Sequence, residues 1–150
     1  MQIIRVQLEH AELIAPLFDA YRQFYKQSSN LAGAREFVTE RLKKDQSVIF
    51  LAVEEKDGSP RGIGFTQLYP SFSSTNMRRL WILNDLYVSA NARKKGIGEA
   101  LMERARQWAV ETGAEGLTLE TAVDNRTAQR LYEKLGYKKD EVYFRYNLMV

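Results

Sequence analysis

Residues 84–101 read Asn-Asp-Leu-Tyr-Val-Ser-Ala-Asn-Ala-Arg-Lys-Lys-Gly-Ile-Gly-Glu-Ala-Leu, and they put two carboxylates, three cations and two glycines into one stretch. The pattern passes from strand-like alternation to a helix-like period through Arg93, Lys94, Lys95, Gly96, Ile97 and Gly98. A helix that starts on glycine exposes backbone N–H groups, and its macrodipole adds about half a positive charge there. With basic side chains alongside, such a turn suits phosphate. The spacing Arg93-x-x-Gly96-x-Gly98 lacks the Gly-Lys-Ser/Thr ending of a Walker loop and the third glycine of a dinucleotide fingerprint. Taken alone, it is equally a plain strand–helix turn.

Asp85 is the second chemical element. A primary ammonium has a pKa of about 10.4, so an amine nucleophile at neutral pH needs a group that takes its proton. Asp85 lies in an otherwise apolar strand directly before the glycine turn. It is either that base or a buried acceptor for backbone N–H groups. Strict alternation puts Asn84 and Asp85 on opposite faces unless a bulge turns one around. Glu120, on a later strand, is a further carboxylate that could face the same place.

Residues 93–98 resemble the coenzyme-A pyrophosphate loop of the GNAT N-acetyltransferase superfamily, whose pattern is Arg/Gln-x-x-Gly-x-Gly/Ala. A second segment, Asn125-Arg126-Thr127-Ala128-Gln129-Arg130-Leu131-Tyr132-Glu133-Lys134-Leu135-Gly136-Tyr137, looks like that family's Asn-x-x-Ala-x-x-Leu-Tyr-x-x-x-Gly-Phe/Tyr. The resemblance implies acetyl-CoA as donor; no spacing of His, Asp and Glu along the chain suggests a metal. It implies that the backbone of Leu86, Tyr87 and Val88 binds the pantetheine arm, that residues 93–98 hold the pyrophosphate, and that Asn125 bonds the arm. It makes Tyr132 the acid that protonates the departing thiolate. Asn125 is also a natural helix cap, and Tyr132 shares a helix stripe with Ala128, Leu131 and Leu135, where a core tyrosine would stand. Many polyamine-acetylating relatives carry Glu-Asp where this chain has Asn84-Asp85, a departure that bears on a direct base.

These residues need elements to position them. Residues 2–7 alternate as a strand, and residues 11–26 and 34–44 have helical spacing. Residues 48–54 and 62–69 read as strands around a Lys-Asp-Gly-Ser-Pro turn, followed by a polar loop over 70–75. Residues 78–88 read as a central strand, because both alternating sets are largely apolar. A helix follows Gly98 and stops near Gly113; residues 116–121 form a strand, a helix ends at Gly136, and residues 142–149 form a last strand. The order βααβββαβαβ is a mixed α/β (α+β) fold, one domain over 1–150. The resemblance adds a central sheet with flanking helices whose middle strands part for the cofactor.

Composition narrows the classes. The chain has 150 residues, a net charge of +3, no cysteine and one histidine. Cysteine nucleophiles, disulfides and thiolate metal sites are excluded. No apolar run approaches the ~20 residues of a membrane span, and charged residues interrupt any signal-like start, so the cytoplasm is the expected compartment. The basic clusters are short and scattered, unlike a nucleic-acid module. His10, Trp81 and Phe72 have ordinary structural uses, and Tyr21, Phe24 and Tyr25 could serve core or acceptor pocket. The expected function is N-acetyl transfer to a small-molecule, polyamine or peptide amine by direct attack in a ternary complex. A non-catalytic acyl-CoA sensor would share Arg93, Gly96 and Gly98. The apolar segment 142–150 offers a surface for a homodimer.

Overall fold

A nine-residue strand with five consecutive buried residues, Val48 to Ala52, must be covered on both faces. Two sets of helices cover it. In the computed structural model, which describes residues 1–150, the chain forms two compact units, Met1–Leu119 and Glu120–Val150, each described here by itself.

The first unit contains β1 (Gln2–Arg5), α1 (Ala11–Phe24), α2 (Leu31–Lys43), β2 (Val48–Lys56), β3 (Ser59–Ser73), β4 (Arg78–Val88), α3 (Ile97–Glu111) and β5 (Leu117–Thr118). The strands form one sheet in chain order, antiparallel except for the parallel pair β4/β5. Ile14, Leu17 and Phe18 of α1 and Val38 of α2 pack with Ile49, Leu51 and Phe65 of the sheet. On the other side Phe50 meets Trp108 of α3, ring to ring at 6.0 Å. Ile63 is an extra residue in the β2–β3 ladder, because Ala52 pairs with Gly64 while Val53 pairs with Gly62. The bulge turns Gly62 toward α1 and Gly64 toward α3. A Cβ at Gly62 would stand 3.1 Å from the Leu13 carbonyl oxygen; one at Gly64 would stand 3.2 Å from Ile97 and 3.3 Å from Leu101. Both helices therefore lie closer to β3 than a side chain would permit.

Four expectations change. The segment 70–75 is not a free loop: Pro70 through Ser73 extend β3 opposite Trp81 through Arg78, and the turn is confined to 74–77. The central position belongs to β3, with β4 fourth of five. The strand expected over 116–121 shrinks to Leu117–Thr118, since only Trp81 and Ile82 supply it with partners. Glu120 is therefore off the strand and exposed, paired with Arg145.

In the second unit, α4 (Arg126–Lys134) is the only regular element, and residues 142–149 form no strand. A strand needs a ladder. Here the N–H groups of Val142 and Tyr143 both donate to Asp140 Oδ1, at 2.8 and 3.2 Å, which is turn chemistry. Val142, Tyr143, Phe144 and Tyr146 are all largely exposed. No helix of either unit is long and apolar enough to cross a membrane.

Candidate active site

The β3–β4 ladder carries a bulge at the Asn84-Asp85 pair, the exception to strict alternation. Gln67 pairs with Asp85 and Leu68 with Leu83, so Asn84 is the extra residue. Asn84 is exposed while Asp85 is 5% exposed. Thr66 pins the bulge by donating its hydroxyl to the Asp85 carbonyl at 2.9 Å.

The Asp85 carboxylate accepts three hydrogen bonds from neutral groups. Tyr21 of α1 donates its phenol to Oδ1 at 2.7 Å, Asn84 Nδ2 donates to Oδ1 at 3.1 Å, and Gln67 Nε2 donates to Oδ2 at 2.6 Å. Burial first, then the Asp85 charge, push the Tyr21 phenol far above its usual range. It stays protonated, and a donor, at every working pH. The same two causes push Tyr69 up to about 12. Gln67 is fully buried, and its amide oxygen has no partner. The orientation of that amide follows from Asp85: an ionised carboxylate accepts only from the NH2 end.

Beyond Ile82, β4 has a ladder partner only on its β3 side, because β5 pairs with just Trp81 and Ile82. Leu86, Tyr87 and Val88 thus form a strand with one open edge. The chain then makes a short 3₁₀ turn, Ala90–Ala92, and reaches α3 through Lys94 at φ 65° and Gly96 at φ 76°. Two left-handed residues within three produce the sharp approach, and at Gly96 only glycine does so without strain. A Cβ on Gly96 would meet nothing within 4 Å, so the space beside the helix start is open. No side chain caps α3, whereas Asn30 caps α2 by accepting from Gly33 N at 2.9 Å. The first N–H groups of α3, Ile97 and Gly98 among them, have no intrahelical acceptor.

Lys94 and Lys95 are exposed at this helix start. Arg93 turns the other way. Its Nε donates to the Val88 carbonyl at 3.0 Å, and its guanidinium lies 5.4 Å from the Phe24 ring and 5.9 Å from the Tyr87 ring. It ties the loop to the end of β4 and to α1.

The first unit therefore brings together Asp85, Leu86–Val88 and residues 93–98. Asn125, Tyr132 and Glu120 belong to the second unit. There Asn125 caps α4, accepting from Ala128 N at 3.2 Å. Tyr132 is half-buried on one stripe with Ala128, Leu131 and Leu135, its ring 6.1 Å from that of Tyr137. Trp81 is a core residue whose indole donates to Thr112, Phe72 is exposed on β3, and His10 accepts from Gln7 N ahead of α1. A cavity of about 310 Å³, lined by Arg5, Gln7, Glu9, Asp45 and Ser47 among others, includes none of the expected site residues. No cluster of His, Asp and Glu stands close enough to hold a metal ion.

One residue that the sequence did not single out, Gln67, joins the site, and Tyr21, read as core or acceptor pocket, enters it as a donor to Asp85. For Tyr21 a signal existed: Tyr21, Phe24 and Tyr25 recur at i, i+3 and i+4, one face at the end of a helix. For Gln67, a polar residue inside an apolar strand was the only trace.

This geometry has known counterparts. The profile of the acetyltransferase (GNAT) family matches residues 14–137. The chain is 47% identical to the uncharacterized N-acetyltransferase YhfO of Bacillus subtilis, over all of this chain and 98% of that one. It is 32% identical to a protein of Haemophilus influenzae named probable acetyltransferase, over 92% of this chain and 90% of the other. A crystal structure described as a probable acetyltransferase superposes with a TM-score of 0.92 at 43% identity, covering 100% and 98% of the two chains. The chain belongs to the acetyltransferase (GNAT) family of acyl-CoA-dependent N-acyltransferases.

Proposed function

We propose that the protein moves the acetyl group of acetyl-CoA to an amine by direct attack, with both substrates bound at once. The observation that carries this is the run from Asp85 along the open edge of β4 to the uncapped start of α3. The donor's pyrophosphate meets the N–H groups of Gly96, Ile97 and Gly98, with Lys94 and Lys95 supplying charge. Open space at Gly96 fits a bulky anion there. The pantetheine arm runs along Leu86, Tyr87 and Val88, whose outward peptide groups polarise the thioester carbonyl.

Asp85 takes the ammonium proton, directly or through water. The neutral amine nitrogen then bonds to the thioester carbon and sheds its second proton to water, the C–S bond breaks, and the sulfur leaves as thiolate. Tyr132 protonates that thiolate, and Asn125 bonds the arm while capping its helix. Both roles rest on the second motif.

Reversing charge at the loop tests donor binding. Lys94→Glu with Lys95→Glu alters exposed side chains only, so the protein should fold, while its Kd for CoA should rise by at least about tenfold. A wild-type protein whose Tm ignores millimolar CoA would defeat the reading. Tyr132→Phe keeps the ring; if the phenol is the acid, turnover should drop by about 10²-fold with CoA affinity little changed. Undiminished turnover would return Tyr132 to a packing role.

A further inference from the structure

The end of α1 presents an aromatic wall beside Asp85. Tyr21, which bonds the carboxylate, has its ring 5.1 Å from Tyr25 and 6.0 Å from Tyr87. Phe24 continues the wall, 5.3 Å from Tyr25 and 6.0 Å from Tyr87. Packing does not require the outer part of it: Phe24 and Tyr25 are each 56% exposed, although the core lies one helical turn away.

The charges around this wall are uneven. The first unit has two buried carboxylates, Asp19 and Asp85, and Asp19 is occupied by the connection between α1 and α2. Asp85 alone faces the wall, and none of its partners is a cation. A buried carboxylate held by neutral donors is incompletely compensated, and it favours a ligand that carries one positive charge. The fixed cation at the wall is Arg93, over Phe24 and Tyr87. A second or third ammonium on the ligand would meet that guanidinium and find no second buried carboxylate.

We infer that the acceptor is a monoamine with a flat apolar body, its ammonium at Asp85 and its body against Tyr21, Phe24, Tyr25 and Tyr87. This rests on the proposed transfer reaction for its chemistry, but only on the geometry of the wall for its choice of amine. Ring-on-ring contact supplies the preference, and desolvation of one ammonium beside Asp85 supplies the anchor. Polyamines and aminoglycosides carry the charge this wall lacks acids to receive.

Calorimetry on the whole chain saturated with CoA ranks four probes: 2-phenylethylamine, n-butylamine, spermidine and kanamycin. Thiol release from acetyl-CoA is followed with the same four. Phenylethylamine should bind about tenfold tighter than butylamine and tighter than either polycation. In Phe24→Ala and Tyr25→Ala, which truncate half-exposed rings, the ratio of phenylethylamine to butylamine affinity should collapse toward one. Spermidine or kanamycin binding first, no binding by any probe, or a ratio untouched by both truncations would overturn the inference. The predicted ranking without thiol release would instead defeat the transfer reaction and leave the amine class standing. Thiol release fastest with a polycation would do the reverse.

Discussion

Asp19 and Asp85 are the same residue type in the same unit, 6% and 5% exposed, and they are held in opposite ways. Asp19 is satisfied locally. It accepts from Ser29 Oγ at 2.7 Å, Asn30 N at 2.8 Å and Gln23 Nε2 at 3.3 Å, with Arg22 at 3.9 Å. A backbone donor and a cation together anchor a loop, and they hold its carboxyl below the usual range. The Asn30 N–H contributes most, then Ser29, then Arg22, with burial opposing them. Asp85 instead draws on residues 18 and 64 positions away and on its neighbour, all neutral. The difference separates a carboxylate that closes a turn from one held across the sheet by neutral donors alone.

The sharpest break in that comparison is Asp85→Asn. The change keeps shape and removes charge, so turnover should fall by about 10²-fold or more while Tm moves little. The deficit should be greatest at low pH and partly recovered at high pH, where the amine loses its proton to solvent. A pH series run with a melt reads both. A mutant with full rate and an unaltered profile would place Asp85 alongside Asp19 as a structural group.

Tyr21→Phe comes next. It removes one donor to the Asp85 charge and keeps the ring in the wall. Losing that hydrogen bond leaves the carboxylate less firmly oriented toward the amine, with Gln67 and Asn84 as its remaining donors. Turnover near neutrality should drop by about tenfold. Tyr21 acts through Asp85 as a positioning residue, so kcat should fall with the acceptor KM little changed; a fall in rate that only tracks a fall in Tm would reduce it to packing.

Asp19→Asn should be the mildest catalytically. Turnover should stay within about twofold, since the Asp19 carboxylate bonds Gln23, Ser29 and Asn30 and shares no partner with Asp85. Stability should suffer, with a sign fixed by linkage. The folded-state pKa of Asp19 is depressed, so its contribution is present above the unfolded value of roughly 4 and is lost as pH falls through the folded value. Melting curves should therefore separate wild type from Asp19→Asn at pH 7 and converge in acid. A constant gap across that window would remove the charge from the account.

Most of the first unit was legible in the chain. β4 begins and ends where alternation puts it, and α3 stops at Gly113, whose φ of 68° explains why. The basic glycine turn over 93–98 was legible because its features are local: glycines, cations and a helix start lie within a few residues. The truncated β5 and the absent strand at 142–149 were not legible. A strand exists only through its ladder, and apolar alternation says that a segment can pair without saying that a partner is there.

What the sequence determined by itself was the family, the α/β order through α4, and a carboxylate one strand-end away from a basic glycine turn, since each depends on residues close along the chain. Tertiary structure alone decided how Asp85 is held. The Asn84 bulge needed β3 opposite it, and Tyr21 reaches the carboxylate across 64 residues of chain because α1 packs on the sheet. Register and packing are relations between segments, and no single segment encodes them.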